Sequence, residues 1–442
     1  MMPNLRKRRH SISKLVPSSD IQVRKKHTLS KTGKNKELSN KNQAVTQLHI
    51  KRIDVKIGDV INNALGEGSK PTNAIQVRKK RKLYDPSKNE ESNKKKQTVK
   101  KVNKKGRKKK RVKKGDILMS RYKIISTLGK GTFAMVFQAE DLIKHQMVAL
   151  KTFKDVRKHS IGISEVHVLK TLGQKDPESA YHCIKMLDWY NGHGYMFIVL
   201  EMLGVSLLEF MRSNKYQPFP LDQIRHIAHQ LCISTKFLHD NKLTHTDLKP
   251  ENILFLDSNY ELLYNNRRHI AFKRIKNTDL KIIDFGNAIF DHEYHDTLVS
   301  TRPYRAPEVI LKLGWNQSCD VWSLGCILFE LYLGITIFES IEDIEHLAMM
   351  QKVLGNIPLQ MVKRSRTKYF YNGKLKWDNK DIIGKFARLK YEPLIRYKMM
   401  DGREHNEFFD LIKKMLTYVP TERITLNDAL KHPFFIKLLV DN

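Results

Sequence analysis

The stretch His245-Thr246-Asp247-Leu248-Lys249-Pro250-Glu251-Asn252 sets a carboxylate, an ammonium and an amide at offsets 0, +2 and +5. An Asp in a tight loop can accept or orient a hydroxyl proton. A Lys two residues on can neutralise phosphate charge, and an Asn five residues on can ligate a divalent metal. Together these are the parts of phosphoryl transfer, in which a protein mostly positions groups and stabilises charge. Alone the string could be a surface loop, so its weight comes from its flanks.

Upstream, Tyr122–Leu128 reads as a strand and Gly129–Phe137 as a turn with a returning strand. Gly129 and Gly131 let the backbone approach phosphates with no Cβ in the way. Ala134 occupies the third position of this Gly-x-Gly-x-x pattern, which predicts a stiffer loop. Next comes the strand Val148-Ala149-Leu150-Lys151, whose lysine could bridge phosphates beneath that loop. Glu165 lies fourteen residues further on, in a helix-periodic stretch marked by Val166, Leu169 and Leu172. It is the acid available to hold Lys151. Tyr195–Leu200 reads as a buried strand ending at Glu201-Met202-Leu203-Gly204.

Downstream, Pro220–His239 has helical periodicity and delivers the chain to the Asp247 loop. Ile253-Leu254-Phe255 reads as a strand, residues 257–279 as an insertion, and Leu280–Ile283 as the strand before Asp284-Phe285-Gly286. Twenty-odd residues later comes Ala306-Pro307-Glu308. Thr297, Ser300, Thr301 and Tyr304 between them carry hydroxyls that are candidates for phosphorylation.

The charge is concentrated at one end. Residues 1–114 hold 36 Lys/Arg against 8 Asp/Glu, so most of the formal +35 lies there. Tyr84 is the only aromatic in that segment, which cannot bury enough apolar surface to offset the entropy of ordering and reads as disordered. Its basic clusters, Arg6–Arg9, Arg78–Lys82 and Lys100–Lys114, read as nuclear import signals for an import receptor, or as non-specific, salt-sensitive contacts to nucleic acid. Missing aromatic platforms argue against a dedicated single-strand binder. Ile21-Gln22-Val23-Arg24-Lys25-Lys26 recurs as residues 75–80, either a local duplication or a reused docking signal. Cys183, Cys232, Cys319 and Cys326 have no C-x-x-C spacing and read as reduced intracellular thiols. With no apolar segment after the basic start and no run long enough to span a bilayer, the expectation is a soluble monomer of the nucleus or cytoplasm.

The Asp247 loop, Lys151 strand and Asp284-Phe285-Gly286 together resemble the eukaryotic protein kinases. Three features narrow this: His245-Thr246-Asp247, Ser300-Thr301-Arg302-Pro303-Tyr304-Arg305-Ala306-Pro307-Glu308, and Glu345-His346-Leu347-Ala348-Met349-Met350. They are similar to the LAMMER, or CDC-like, kinases over roughly residues 116–442, with Gln351-Lys352 where that family has Glu-Arg. The insertion resembles that family's hairpin.

The resemblance implies an α+β, two-lobed kinase fold behind a basic tail (1–115). The small β-rich lobe would span 116–203 and the large helical lobe 204–442. It implies ATP and Mg²⁺ as cofactors, with Asp247, Lys249 and Asn252 catalytic and Asn252 and Asp284 on the metal. ATP would be bound by Leu128, Gly129, Lys130, Gly131, Val136, Ala149, Lys151 and Glu165, and by the backbone of Glu201 and Leu203, with Leu200 gating the back pocket. Thr301 would be structural, and Arg423 would pair with Glu308. Thr246 stands where kinases usually carry an arginine that grips an activation-segment phosphate, so dependence on that phosphate should be weak. The implied activity is phosphorylation of Ser/Thr, with Tyr autophosphorylation, on arginine–serine-rich splicing factors in the nucleus. Two alternatives stay open: a DYRK-like kinase with other substrates, and a pseudokinase scaffold. The scaffold reading would predict loss of Lys151, Asp247, Asn252 or Asp284, and all four are present.

Overall fold

A computed structural model describes residues 112–131, 133–153, 158–192, 194–265, 270–377 and 391–440. The readings made for the basic tail fall outside the described residues up to position 111.

The small lobe is a six-stranded antiparallel sheet. Its strands are β1 (Ile117–Leu118), β2 (Tyr122–Lys130), β3 (Ala134–Asp141), β4 (Gln146–Phe153), β5 (Met186–Gly192) and β6 (Tyr195–Glu201), in spatial order β1-β2-β3-β4-β6-β5. Side chains alternate across a strand, and this sorts the lobe into two cores. Ala134, Ala149, Phe153, Met196, Ile198 and Leu200 face inward and join Val166, Leu169 and Leu172 of helix α1 (His159–Lys175). Tyr122, Ile124, Phe137, Val148, Leu150, Phe197 and Val199 form the outer core. The chain entering the lobe covers that outer face. Gly115 N donates to Ile124 O at 2.9 Å, Ile124 N donates to Asp116 O at 2.9 Å, and Val112 and Leu118 pack on the core. The strand expected to stop at Leu128 runs on to Lys130, because Gly129 pairs with Val136 and Lys130 with Met135 across two register irregularities. The turn itself is therefore short. Ala134 is buried at the start of β3, where its methyl joins the inner core.

The large lobe is helical. It contains α2 (Leu207–Ser213), opened by a Ser206/Glu209 capping box, and α3 (Leu221–Asp240). It continues with α4 (Ser318–Leu333), α5 (Asp343–Leu354), α6 (Leu359–Arg364) and α7 (Arg403–Met415). Every residue of α4 from Cys319 to Leu333 is buried, so this helix is the axis of the lobe. It ends at Gly334 with φ +74°, where a Cβ would lie 1.9 Å from the Tyr216 carbonyl oxygen; only glycine fits.

Short ribbons hold the Asp247 and Asp284 segments. β7 (Leu243–Thr244) pairs with β12 (Ile289–Phe290), and β8 (Ile253–Phe255) with β11 (Leu280–Ile282). The insertion is a hairpin of β9 (Tyr260–Asn265) and β10 (Ile270–Ile275). It is pinned to the lobe by Asn214, which exchanges hydrogen bonds with the Lys273 backbone at 2.7 and 2.9 Å, and by Gln223, which donates to Ile275 O at 2.6 Å. All four cysteines are buried with free thiols. Among the described residues no helix is long and apolar enough to cross a membrane.

Candidate active site

β-sheet alternation puts Val136, Ala149 and Lys151 on the inward face with Ile198 and Leu200: Lys151 pairs with Val136 and Ile198 in register, and Ala149 with Leu200. Lys151 Nζ lies 2.7 Å from Glu165 Oε1 and 2.7 Å from Asp284 Oδ1. The helix carrying Glu165 is thus swung in, and the cation links it to the Asp284 segment. Burial alone would lower the Lys151 pKa, but the two carboxylates outweigh it and hold it above its ordinary value. Burial would raise that of Asp284, and Lys151 overcomes it and holds the carboxyl below its usual range. Burial raises Glu165, with Lys151 opposing. The direct 2.7 Å contacts favour the charged cluster, because the ammonium is shared by two carboxylates. Asp284 itself adopts a left-handed backbone, φ 64°.

Leu128 is exposed at the rim, Gly129 and Lys130 complete β2 beyond it, and Gly131 begins the turn. Gly131 N donates to Ala134 O at 3.0 Å, closing the turn. Glu201 and Leu203 occupy the connection between lobes, and Leu200 behind them is buried.

Across the cleft, the Asp247 loop is held from below by one carboxylate. Asp320, fully buried at the start of α4, accepts from His245 N at 2.8 Å and Thr246 N at 2.9 Å. His239 Nε2 lies 3.1 Å from the same carboxylate. That grip maintains Thr246 at φ 67°, a costly conformation for a β-branched residue. The Thr246 hydroxyl donates to Asn287 O at 2.8 Å, tying the loop to the segment after Asp284. Asp247 Oδ2 accepts from Lys249 Nζ at 2.7 Å, and Oδ1 accepts from Thr301 N at 2.9 Å and its hydroxyl at 2.6 Å. Lys249 Nζ also donates to Thr301 Oγ1 at 3.0 Å. Asn252 Nδ2 donates to Asp247 O at 3.0 Å, so the amide oxygen is the atom that could ligate a metal. With the Asp284 carboxylate this is a pair of hard oxygen donors. The pair suits Mg²⁺, which takes one or two protein oxygens and completes its shell with phosphate and water.

The activation segment is fixed by side chains. Arg305 donates to Val299 O at 2.9 Å and Ser300 O at 2.8 Å, and Arg302 pairs with Asp343 at the start of α5. Tyr304 is corrected as a phosphorylation candidate: it is buried and its hydroxyl donates to Glu330 Oε2 at 2.6 Å, leaving no room for a phosphate. Thr301 is engaged with Asp247 and Lys249, while Thr297 is exposed. Tyr294, 82% exposed, is a hydroxyl in this segment that the sequence reading passed over. Arg423 grips Glu308 in a buried two-pronged pair at 2.7 and 2.8 Å and donates to Ser318 O and Thr417 O. Asp343 was missed as a site support: its partner Arg302 lies 41 residues away along the chain, and no local pattern announces it.

The protein kinase domain family matches residues 122–435. The serine/threonine-protein kinase Doa of Drosophila melanogaster is 55% identical over 331 residues, covering 73% of this chain and 40% of Doa. The dual specificity protein kinase CLK2 of Homo sapiens is 51% identical over 327 residues, covering 73% of this chain and 66% of CLK2. CLK4 of Homo sapiens is 49% identical over 324 residues, covering 73% of this chain and 67% of CLK4. A solved kinase-domain crystal structure aligns with TM-score 0.68 and 33% identity over 74% of this chain and 98% of its own. The matched region thus spans less than two thirds of Doa and of CLK2. The catalytic loop, its flanks and these relatives agree: the chain belongs to the protein kinase domain family and, within it, to the LAMMER, or CDC-like, kinases.

Proposed function

We propose that the chain is an active dual-specificity kinase that transfers the γ-phosphoryl group of ATP to Ser and Thr hydroxyls of proteins, and to Tyr in its own chain. The observation that carries this is the intact pair of clusters facing each other across the cleft: Lys151–Glu165–Asp284 above, and Asp247–Lys249–Thr301–Asn252 below. Asp247 orients the substrate hydroxyl and takes its proton. Lys249 neutralises charge on the transferred group. Lys151, held by Glu165, positions the α- and β-phosphates beneath Gly129 and Gly131. Asn252 and Asp284 would hold Mg²⁺, which when bound would supply positive charge beside the phosphates. The backbone of Glu201 and Leu203 takes the adenine.

Arginine–serine-rich splicing proteins are the substrates this reading favours, supported by the LAMMER relationship. The basic clusters support nuclear import through an import receptor, with incidental contact to nucleic acid and a monomeric state completing the reading. The test is phosphate transfer from Mg²⁺-ATP to an arginine–serine peptide, run beside a proline-directed peptide without arginines. Transfer to the first, abolished in Asp247→Asn, supports the proposal. Transfer to the second alone moves the substrate class, and transfer to neither, with ATP still bound, makes the chain a scaffold.

A further inference from the structure

Lys281 lies on β11, three residues before Asp284, with its side chain 9% exposed. Its Nζ lies 2.7 Å from Glu201 Oε1 and donates to Ser179 Oγ at 2.9 Å. Glu201 closes β6 and opens the connection between the lobes, and the same Oε1 accepts from Lys185 N at 2.6 Å. The backbone repeats the connection: Ile282 N donates to His182 O at 2.9 Å, and Ile184 N to Ile282 O at 3.0 Å. The chain between α1 and β5 is therefore bonded along β11, meets the hinge through the Lys185 and Glu201 backbones (Glu201 N donates to Lys185 O at 3.1 Å), and is tied by the Lys281 ammonium to the Glu201 carboxylate. Three segments meet there: the chain leaving the helix of Glu165, the hinge, and the strand that ends at Asp284.

The α1–β5 connection is built to hold that shape. Ser179 and His182 have φ 59° and 54°, and Asp176 accepts from Ala180 N at 2.8 Å and Tyr181 N at 3.0 Å. Non-glycine residues keep such conformations only where their surroundings over-determine them. A half-buried Glu201 without Lys281 would retain one backbone donor and would turn toward water.

We propose that Lys281 is a positioning residue: it fixes the hinge edge, Glu201 to Leu203, relative to Asp284, and thereby sets the affinity for nucleotide. This rests on the reading that the hinge edge takes adenine. Lys281 acts through Glu201 on binding made equally in the ground and transition states, so its loss raises KM for ATP and spares kcat.

The experiment compares the full chain with Lys281→Met, Lys281→Arg, Glu201→Gln and the double variant Lys281→Met/Glu201→Gln. It reads kcat and KM for ATP on an arginine–serine peptide, and the Kd of a fluorescent N-methylanthraniloyl-ATP. Lys281→Met is expected to raise KM and Kd about tenfold with kcat within about threefold, and Lys281→Arg to recover most of that. The double variant should be no worse than the single, because the two groups act as a pair. KM and Kd unchanged in Lys281→Met, even with a lower Tm, overturn the proposal, as does a fall in kcat at constant KM. Should Lys281→Met fail to fold, Glu201→Gln decides between the same outcomes. A wild-type chain that binds the fluorescent nucleotide but transfers no phosphate defeats the kinase reading, while the Kd comparison still judges Lys281.

Discussion

Asp247 carries its two oxygens to different partners, and the consequences separate. Lys249 balances Oδ2, while Thr301 donates twice to Oδ1. Asp247→Asn removes the proton acceptor, and kcat on a peptide should fall about 10²–10⁴-fold with the fold intact by circular dichroism. Thr301→Ala removes one of the two donors to Oδ1, and kcat should fall about tenfold, with Thr301→Ser restoring it. Equal activity in the alanine and serine variants would mean that the Thr301 backbone N–H alone orients the carboxylate.

At the scale of elements, the catalytic loop depends on the start of α4. Asp320→Ala leaves two buried N–H groups without their acceptor and frees Thr246 from its left-handed conformation. Stability should drop by about 3 kcal/mol in urea unfolding, and activity should go with it. Helix α5 adds a pH dependence. His346 is fully buried beside Phe338, and burial, with repulsion from Arg305 and Arg302, pushes its pKa down to about 3. The folded protein therefore keeps it neutral, while the unfolded chain protonates it near its ordinary value of about 6.5. Its contribution to stability is complete above that value and is lost as pH falls from about 6.5 toward 3. Melting temperature plotted against pH should thus fall less steeply below neutrality for His346→Leu than for the wild type. Parallel curves would mean that the imidazole is not held neutral by the fold.

These elements also show where the sequence was readable. Asp247, Lys249 and Asn252 lie within six residues, and Lys151 and Glu165 are placed by strand and helix periodicity, so local spacing announces them. Tyr304 looked available because nothing near it in the chain shows Glu330, which lies 26 residues on and meets it only once α4 packs. The long reach of β2 through Gly129 was equally hidden, because cross-strand pairing with β3 overrides the turn signal of the glycines.

At the scale of the whole molecule, the large lobe is closed by Arg423 and Glu308, 115 residues apart and both almost fully buried. Replacing one partner strands a charge away from water. Arg423→Met should cost about 3–5 kcal/mol in unfolding free energy, whereas Arg423→Met with Glu308→Leu should recover much of it. A double variant as unstable as the single would assign the loss to the Arg423 bonds with Ser318 O and Thr417 O.

The Thr246 hydroxyl that meets the Asn287 carbonyl has a consequence for control. In its place a kinase governed by phosphorylation carries an arginine waiting for an incoming phosphate. Here the loop and the segment after Asp284 are already fastened by a neutral hydrogen bond that no phosphatase can cut. The order of these two segments is thus written into the chain itself and needs no added charge to close.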